Sequence, residues 1–391
     1  MINHFPLSGS GSGTYTRNIA VHLMKKGHEI SIVLPENTTR FSGIPGVKMY
    51  PVFFSHEETI ADALPFNFPC FTTHPRSIMS FFDLDDNQLE AYLSAFEKAI
   101  NKAVEEFKPD IIHAQHVWLL CWLARKTGIP YVVTAHGTDL MGYQRSARFT
   151  KYADEAAAGA KRIITISNDN DELVHELFPG CKDKTVFMRN GYDPERFYPE
   201  PITKERFSEM FGINLQDKLV LFVGKLAHFK GVDVLIDAAP MYEGKRPGDV
   251  VTMIAGDGEL ALQLKKQAED LNLKHVYFMG HLDVSQLRGL YSIADVSVVP
   301  SRREPFGLVA VEALACGSTV IATNQGGLPD IINDEVGALV DVDDAFGLAA
   351  AIKHEINRPD RAERGKFVAR YALEKYAQDT LMDDLIEIFS S

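Results

Sequence analysis

The residues of this 391-residue chain that could carry chemistry fall into a few short stretches. The densest is Pro300-Ser-Arg-Arg-Glu-Pro-Phe-Gly-Leu-Val-Ala-Val-Glu312. Glu304 lies in a loop after the strand-like run Val296–Pro300, and Gly307 opens a helical run whose backbone N–H groups can meet a phosphate. Glu312 sits among Val309, Val311, Ala313 and Leu314. A carboxylate with such neighbours needs a partner, which ligand hydroxyls or a buried arginine would each supply. Further upstream, Leu221-Phe-Val-Gly-Lys-Leu-Ala-His-Phe-Lys-Gly231 ends a strand and sets Lys225 and Lys230 ahead of a helix. Two ammonium groups there suit a diphosphate leaving group, whose charge grows as its bond breaks. The alternative is a pair of solvated surface lysines.

His136 follows the strand-like Tyr131–Ala135, at the carboxyl edge of a sheet, where ligands bind in parallel α/β folds. A lone histidine there reads equally well as a satisfied structural residue. The run Ser8-Gly-Ser-Gly-Ser-Gly13 lies between a strand and a helix. It is either a flexible turn or a loop whose backbone approaches a phosphate or sugar, and it matches neither a P-loop nor a dinucleotide fingerprint.

These residues need a scaffold, and strand-like and helix-like segments alternate along the whole chain. The first half reads as strands at Ile2–Phe5, Glu29–Leu34, Asp110–His113, Tyr131–Ala135, Arg162–Ser167 and Thr185–Met188, with a long amphipathic helix at Asp86–Phe107. Asn190–Pro201 is rich in turn formers and proline and reads as a linker, after which the alternation restarts at Leu219–Val223. Such repetition predicts an α/β chain with two Rossmann-like domains, their parallel sheets covered by helices and facing a central cleft. The expected boundaries are residues 1–198, with a returning C-terminal helix in 375–391, and residues 199–374.

Composition narrows the function. The net charge is −13, divided as −3 over residues 1–198 and −10 over residues 199–391. That excludes a nucleic-acid binder, which needs a basic footprint. The four cysteines are far apart and form no CxxC pair, which fits a reduced cytoplasmic setting. No apolar run is long enough to span a bilayer.

Residues 223–238, 300–317 and 326–332 resemble glycosyltransferase family 4, the retaining nucleotide-sugar transferases of the GT-B fold. Glu304 and Glu312 match that family's paired glutamates, and the first-loop, AHGTDL and NGYDPERF stretches fall in the family's order. The resemblance implies a nucleotide-sugar donor, expected to be UDP-linked, and a small-molecule or glycan acceptor. Glu312 would hold the ribose hydroxyls and Glu304 would face the donor sugar. The backbone of Phe306, Gly307 and Leu308 would meet sugar and phosphate, and Lys225 and Lys230 would hold the diphosphate. Gly11 matches the second glycine of the family's first-loop pair, and His136 matches the histidine near donor sugar and acceptor. Many members carry Arg where this chain has Lys225, which keeps the charge and loses a bidentate fork. The family opens with a fuller apolar strand than Ile2–Phe5, so a weakened strand edge is expected there. The resemblance implies metal-independent catalysis and no cofactor.

Three functional classes follow: a retaining glycosyltransferase, a UDP-sugar epimerase of similar fold, and a non-catalytic nucleotide-sugar-binding subunit. The glutamate-rich stretch favours the transferase. Residues 50–82, with seven phenylalanines, lie where acceptor contacts vary in the family, and either pack as a satellite core or touch the acceptor. Arg76 in that segment is the candidate for an acceptor phosphate or carboxylate. The helix after Asp86 tilts acidic, which favours a soluble acceptor over membrane docking. The sequence leaves the oligomeric state open.

Overall fold

The computed structural model describes all residues except 56–59, 73, 212–217 and 244–249. The chain divides into two compact units, Met1–Asn190 with Leu381–Ser391, and Gly191–Thr380.

The first unit is built on β1 (Ser31–Glu36), β2 (Lys48–Phe53), β3 (Ile112–Gln115), β4 (Tyr131–Thr134), β5 (Arg162–Thr165) and β6 (Thr185–Phe187). Strand pairing is parallel throughout, in the orders β1-β2 and β3-β4-β5-β6. Ile2 joins the two groups by parallel bridges to Val33 and Ala114. The strand expected over Ile2–Phe5 reduces to that bridge, because the chain bends at His4 and Pro6 offers no N–H to a ladder. β1, β3 and β4 are buried at every residue, the signature of a parallel sheet covered on both faces.

Helix Asp86–Phe107 keeps its predicted bounds because its ends are set locally. Asp85 caps it in a box with Gln88, and Lys108 closes it in the left-handed region at φ 52°. Its apolar face buries Leu89, Tyr92, Phe96 and Ile100. Phe54, Phe68, Phe71 and Phe81 pack in the same core as Tyr92 and Trp118, so these rings of the phenylalanine-rich segment are interior. The single helix predicted over Lys375–Phe389 is two, Arg361–Tyr376 and Gln378–Ser390. They break at Ala377, which bridges Tyr192 in extended conformation, while Gln378 N–H donates to Tyr192 C=O. Past the break, Leu381, Met382, Leu385 and Ile388 are buried with Ile19, Leu23 and Met188.

The second unit carries β7 (Lys218–Val223), β8 (Val250–Ala255), β9 (Val276–Gly280), β10 (Val296–Val299), β11 (Val320–Thr323) and β12 (Gly337–Val340). They form one parallel sheet in the order β12-β11-β10-β7-β8-β9. The chain runs outward from β7 through β8 to β9, then returns to β10 on the other side of β7. β7 and β10 therefore flank the topological switch point, where parallel sheets bind ligands beyond the strand carboxyl ends. At the opposite end, buried Asp295 accepts from Leu219 N–H at 2.7 Å and from Lys204 Nζ at 2.5 Å, fixing β10 against β7.

Candidate functional site

The loops that leave β7 and β10 at the switch point carry the predicted donor residues. After β7 the chain passes Gly224 and Lys225, makes the short 3-10 turn His228–Lys230, and enters helix Val232–Tyr242 at Gly231. After β10 it runs through Ser301–Phe306 into helix Leu308–Ala315, whose N-cap is Gly307. Among the described residues no side chain caps that helix; Ala310 N–H donates to Gly307 C=O, and the N–H groups of Leu308 and Val309 are open to an anion. Arg302 fastens the two loops together. Its guanidinium donates to both carboxylate oxygens of Asp233 at 2.9 and 2.6 Å, to Asp343 at 2.6 Å and to His228 C=O at 2.7 Å.

This arrangement brings Lys230 and Glu304 together, with Nζ 2.6 Å from Oε2 and both side chains largely buried. Gly326 presses on the same loop from the β11 side, where a Cβ would lie 2.1 Å from Glu304 C=O. Gly327 N–H donates to that carbonyl at 2.9 Å. Only a residue without a side chain permits this approach, which accounts for the glycine pair after Asn324. Lys225 is half-buried, with Nζ 3.9 Å from Glu259.

Glu312 projects from helix Leu308–Ala315 among apolar side chains and is half-buried. Its carboxyl has no hydrogen bond or ion pair among the described residues. Desolvation pushes its pKa up to about 8, opposed only by the charge of Arg196. Of the two partners the sequence allowed, the arginine is near but forms no ion pair. Its exposed edge leaves the group open to water or to a ligand hydroxyl.

In the first unit, His136 follows β4 and is 9% exposed. Its main-chain N–H donates to Asp139 Oδ1 at 3.1 Å, and Asp139 Oδ2 accepts from Val117 N–H at 2.7 Å. The ring lies edge-on to Tyr15 at 5.1 Å and tilted to His116 at 4.7 Å, with Nε2 2.8 Å from Gln115 Oε1. Burial lowers its pKa to about 3, so the imidazole is neutral at physiological pH. It can position or polarise a hydroxyl but cannot act as a cationic acid. Gly11 is the first residue of helix Gly11–Lys25, where the sequence suggested a loop, and Ser10 caps that helix by accepting from Gly13 N–H at 3.0 Å. A Cβ on Gly11 would meet no atom within 4 Å, so internal packing does not demand a glycine there.

Arg76 is held by its own unit. Its guanidinium pairs with Glu36 and donates to Asn37 Oδ1 at 3.1 and 2.6 Å, while its carbonyl accepts from Asn37 and Asn67. Sequence reasoning passed over Arg302 and Gln115. Arg302 lies inside the glutamate-rich stretch, and Gln115 ends β3 at the same sheet edge that singled out His136. Among the described residues no group of three or more His, Cys, Asp or Glu is placed to hold a metal ion. Nor is any helix among them long and apolar enough to cross a membrane.

Both halves of the chain match known glycosyltransferase families. Residues 9–196 match the family model Glycosyltransferase Family 4, and residues 203–370 match Glycosyl transferases group 1. D-inositol 3-phosphate glycosyltransferase of Geodermatophilus obscurus is 30% identical over 348 residues, covering 83% of this chain and 76% of the relative. Sucrose-phosphate synthase of Thermosynechococcus elongatus superposes with a TM-score of 0.79 at 20% identity, covering 100% of this chain and 98% of that one. The Anabaena protein HepE, solved in complex with UDP and glucose, gives 0.76 at 19% identity with the same coverage. With both halves matched in order and the GT-B architecture in place, the chain belongs to the family 4 glycosyltransferases.

Proposed function

We propose that the enzyme transfers a sugar from an NDP-sugar, with UDP as the nucleotide, to a hydroxyl of a small-molecule or glycan acceptor, with retention at the anomeric carbon. The observation that carries this reading is the Glu312 carboxyl, without a protein partner among the described residues, on the helix that follows the Lys230–Glu304 pair at the switch point. In this reading Glu312 accepts the ribose hydroxyls and Glu304 accepts hydroxyls of the donor sugar. Lys225, Lys230 and the N–H groups around Phe306, Gly307 and Leu308 neutralise the diphosphate, so its departure needs no metal ion. Charge complementarity is local, because the second half of the chain carries a net −10. The bond from C1 to the diphosphate oxygen breaks, the acceptor oxygen bonds to C1 on the same face, and its proton leaves with the departing phosphate. His136 receives a substrate hydroxyl and Gly11 leaves room for substrate.

Arg76 is the acceptor contact the sequence suggested, and its pairing with Glu36 supports a neutral hydroxyl-rich acceptor group there over a phosphate. None of the four cysteines forms a disulfide among the described residues, which supports a reducing, cytoplasmic setting. The test is incubation with a panel of NDP-sugars, with and without inositol phosphates, hydroxy acids, sugar phosphates and lipid-linked sugars. Acceptor-dependent NDP release with an unchanged anomeric configuration is expected. An altered sugar with intact NDP-sugar, or an inverted product, refutes the reading.

A further inference from the structure

Gln115 is fully buried at the end of β3, and both of its main-chain groups are engaged. Its N–H donates to Ile2 C=O at 2.9 Å. Its C=O lies 3.0 Å from His4 Nδ1. Leu120 N–H donates to His4 Nε2, so the proton of His4 is on Nδ1 and points at that carbonyl. The backbone is thereby pinned, and the side chain has one bonded neighbour, His136, with Oε1 2.8 Å from Nε2. Its amide Nε2 is sealed from solvent and meets no acceptor among the described residues. Leaving a buried donor unpaired is costly, so its retention here calls for a reason.

His136 fits the same pattern. Among the described residues Nε2 is its only bonded ring atom, and Nδ1 makes no hydrogen bond. An amide oxygen can only accept, so the ring proton sits on Nε2 and Nδ1 presents a lone pair. We propose that Gln115 is a positioning residue for transfer. Its amide oxygen takes the Nε2–H of His136, fixes the tautomer, and turns Nδ1 outward as the acceptor for a substrate hydroxyl. The proposal rests on the reading of His136 as a substrate contact. The other titratable groups around the ring are Tyr15, His4, His113, His116 and Asp139. Burial keeps the three histidines neutral, and Asp139 is engaged by the N–H groups of Val117 and His136. The choice of tautomer therefore falls to Gln115.

The test combines two-bond proton–nitrogen NMR of protein labelled with 15N-histidine and steady-state transfer kinetics. The His136 signals are assigned by their loss in His136→Asn. The wild type is expected to show a single tautomer protonated at Nε2. Gln115→Leu is expected to show a tautomer mixture and about a tenfold fall in kcat, with donor KM changed less than about twofold. Gln115→Glu places a carboxylate against Nε2, so the ring takes a second proton and a new ionisation appears in the kcat profile between about pH 5 and 8. A wild-type ring protonated at Nδ1 overturns the proposal. So does an unchanged tautomer in Gln115→Leu, or a Gln115→Glu pH profile that matches wild type. The wild-type spectrum decides the matter even if Gln115→Leu does not fold. Absence of any sugar transfer by the wild type would instead refute the transfer reaction, leaving the spectrum to decide the hydrogen bond.

Discussion

Glu312→Gln separates the stability role of Glu312 from its binding role. In the ligand-free protein desolvation raises its carboxyl from 4.5 to about 8. The folded chain therefore holds this proton more tightly than the unfolded chain does. The resulting stability is fully present below about pH 4.5 and is lost as the pH climbs through 8. At about 1.4 kcal/mol per pKa unit, the ceiling on that loss is about 5 kcal/mol. The exposed edge of the side chain screens the charge and reduces it to roughly 1–3 kcal/mol. Glutamine has the same shape and never ionises. Thermal unfolding should show no difference from wild type at pH 5 and a Tm higher by about 2–5 °C at pH 9. The same substitution replaces an ionised acceptor for the ribose hydroxyls with a neutral one. UDP affinity measured by calorimetry at pH 9, where the carboxyl is ionised, should fall about tenfold, or about 1.4 kcal/mol. A variant more stable and yet weaker in binding is the expected signature. Equal Tm differences at pH 5 and pH 9, or unchanged UDP affinity, would refute the reasoning.

Gly11→Ala places a methyl where no protein atom lies within 4 Å. It should leave stability unchanged or raise it by up to about 1 kcal/mol, while lowering kcat/KM for transfer at least about tenfold. Lys230→Met strands Glu304 without its cation; chemical denaturation should register a loss of about 1–3 kcal/mol, and UDP affinity should fall about tenfold or more. Arg302→Met releases the loop that carries Lys230 from the loop that carries Glu304, and should raise donor KM more than it lowers kcat. Asp139→Ala removes the acceptor for the N–H groups of Val117 and His136, at about 2–4 kcal/mol by denaturant melts.

The alternation of strands and helices is local information, and so are the caps that fix Asp86–Phe107. Both were legible for that reason. Strand β2 was not, because Lys-Met-Tyr-Pro-Val-Phe carries a proline and no clean alternation, and it forms through parallel pairing with β1. Helix Thr138–Arg145 is short, mostly polar and interrupted by Gly142, so its pattern is weak. The break at Ala377 depends on Tyr192, far away in sequence. The site divides in the same way. Strand-end loops point to His136, Lys225 and Glu304 through general topology. By contrast, the Lys230–Glu304 pair joins residues 74 positions apart, and the hold of Gln115 on His136 spans two strands. The aromatic cluster hid its role because phenylalanine spacing alone does not separate a core from a ligand surface; Phe54 and Phe68 prove fully buried.

The central claim is that Glu312 and the β7 and β10 loops hold the nucleotide diphosphate. It is tested most directly by a crystal structure of the protein with UDP. The account predicts Glu312 oxygens within hydrogen-bond distance of the ribose hydroxyls, and the diphosphate between Lys225, Lys230 and the N-terminus of helix Leu308–Ala315. UDP bound elsewhere, or bound there with the Glu312 carboxyl still unpartnered, would contradict it.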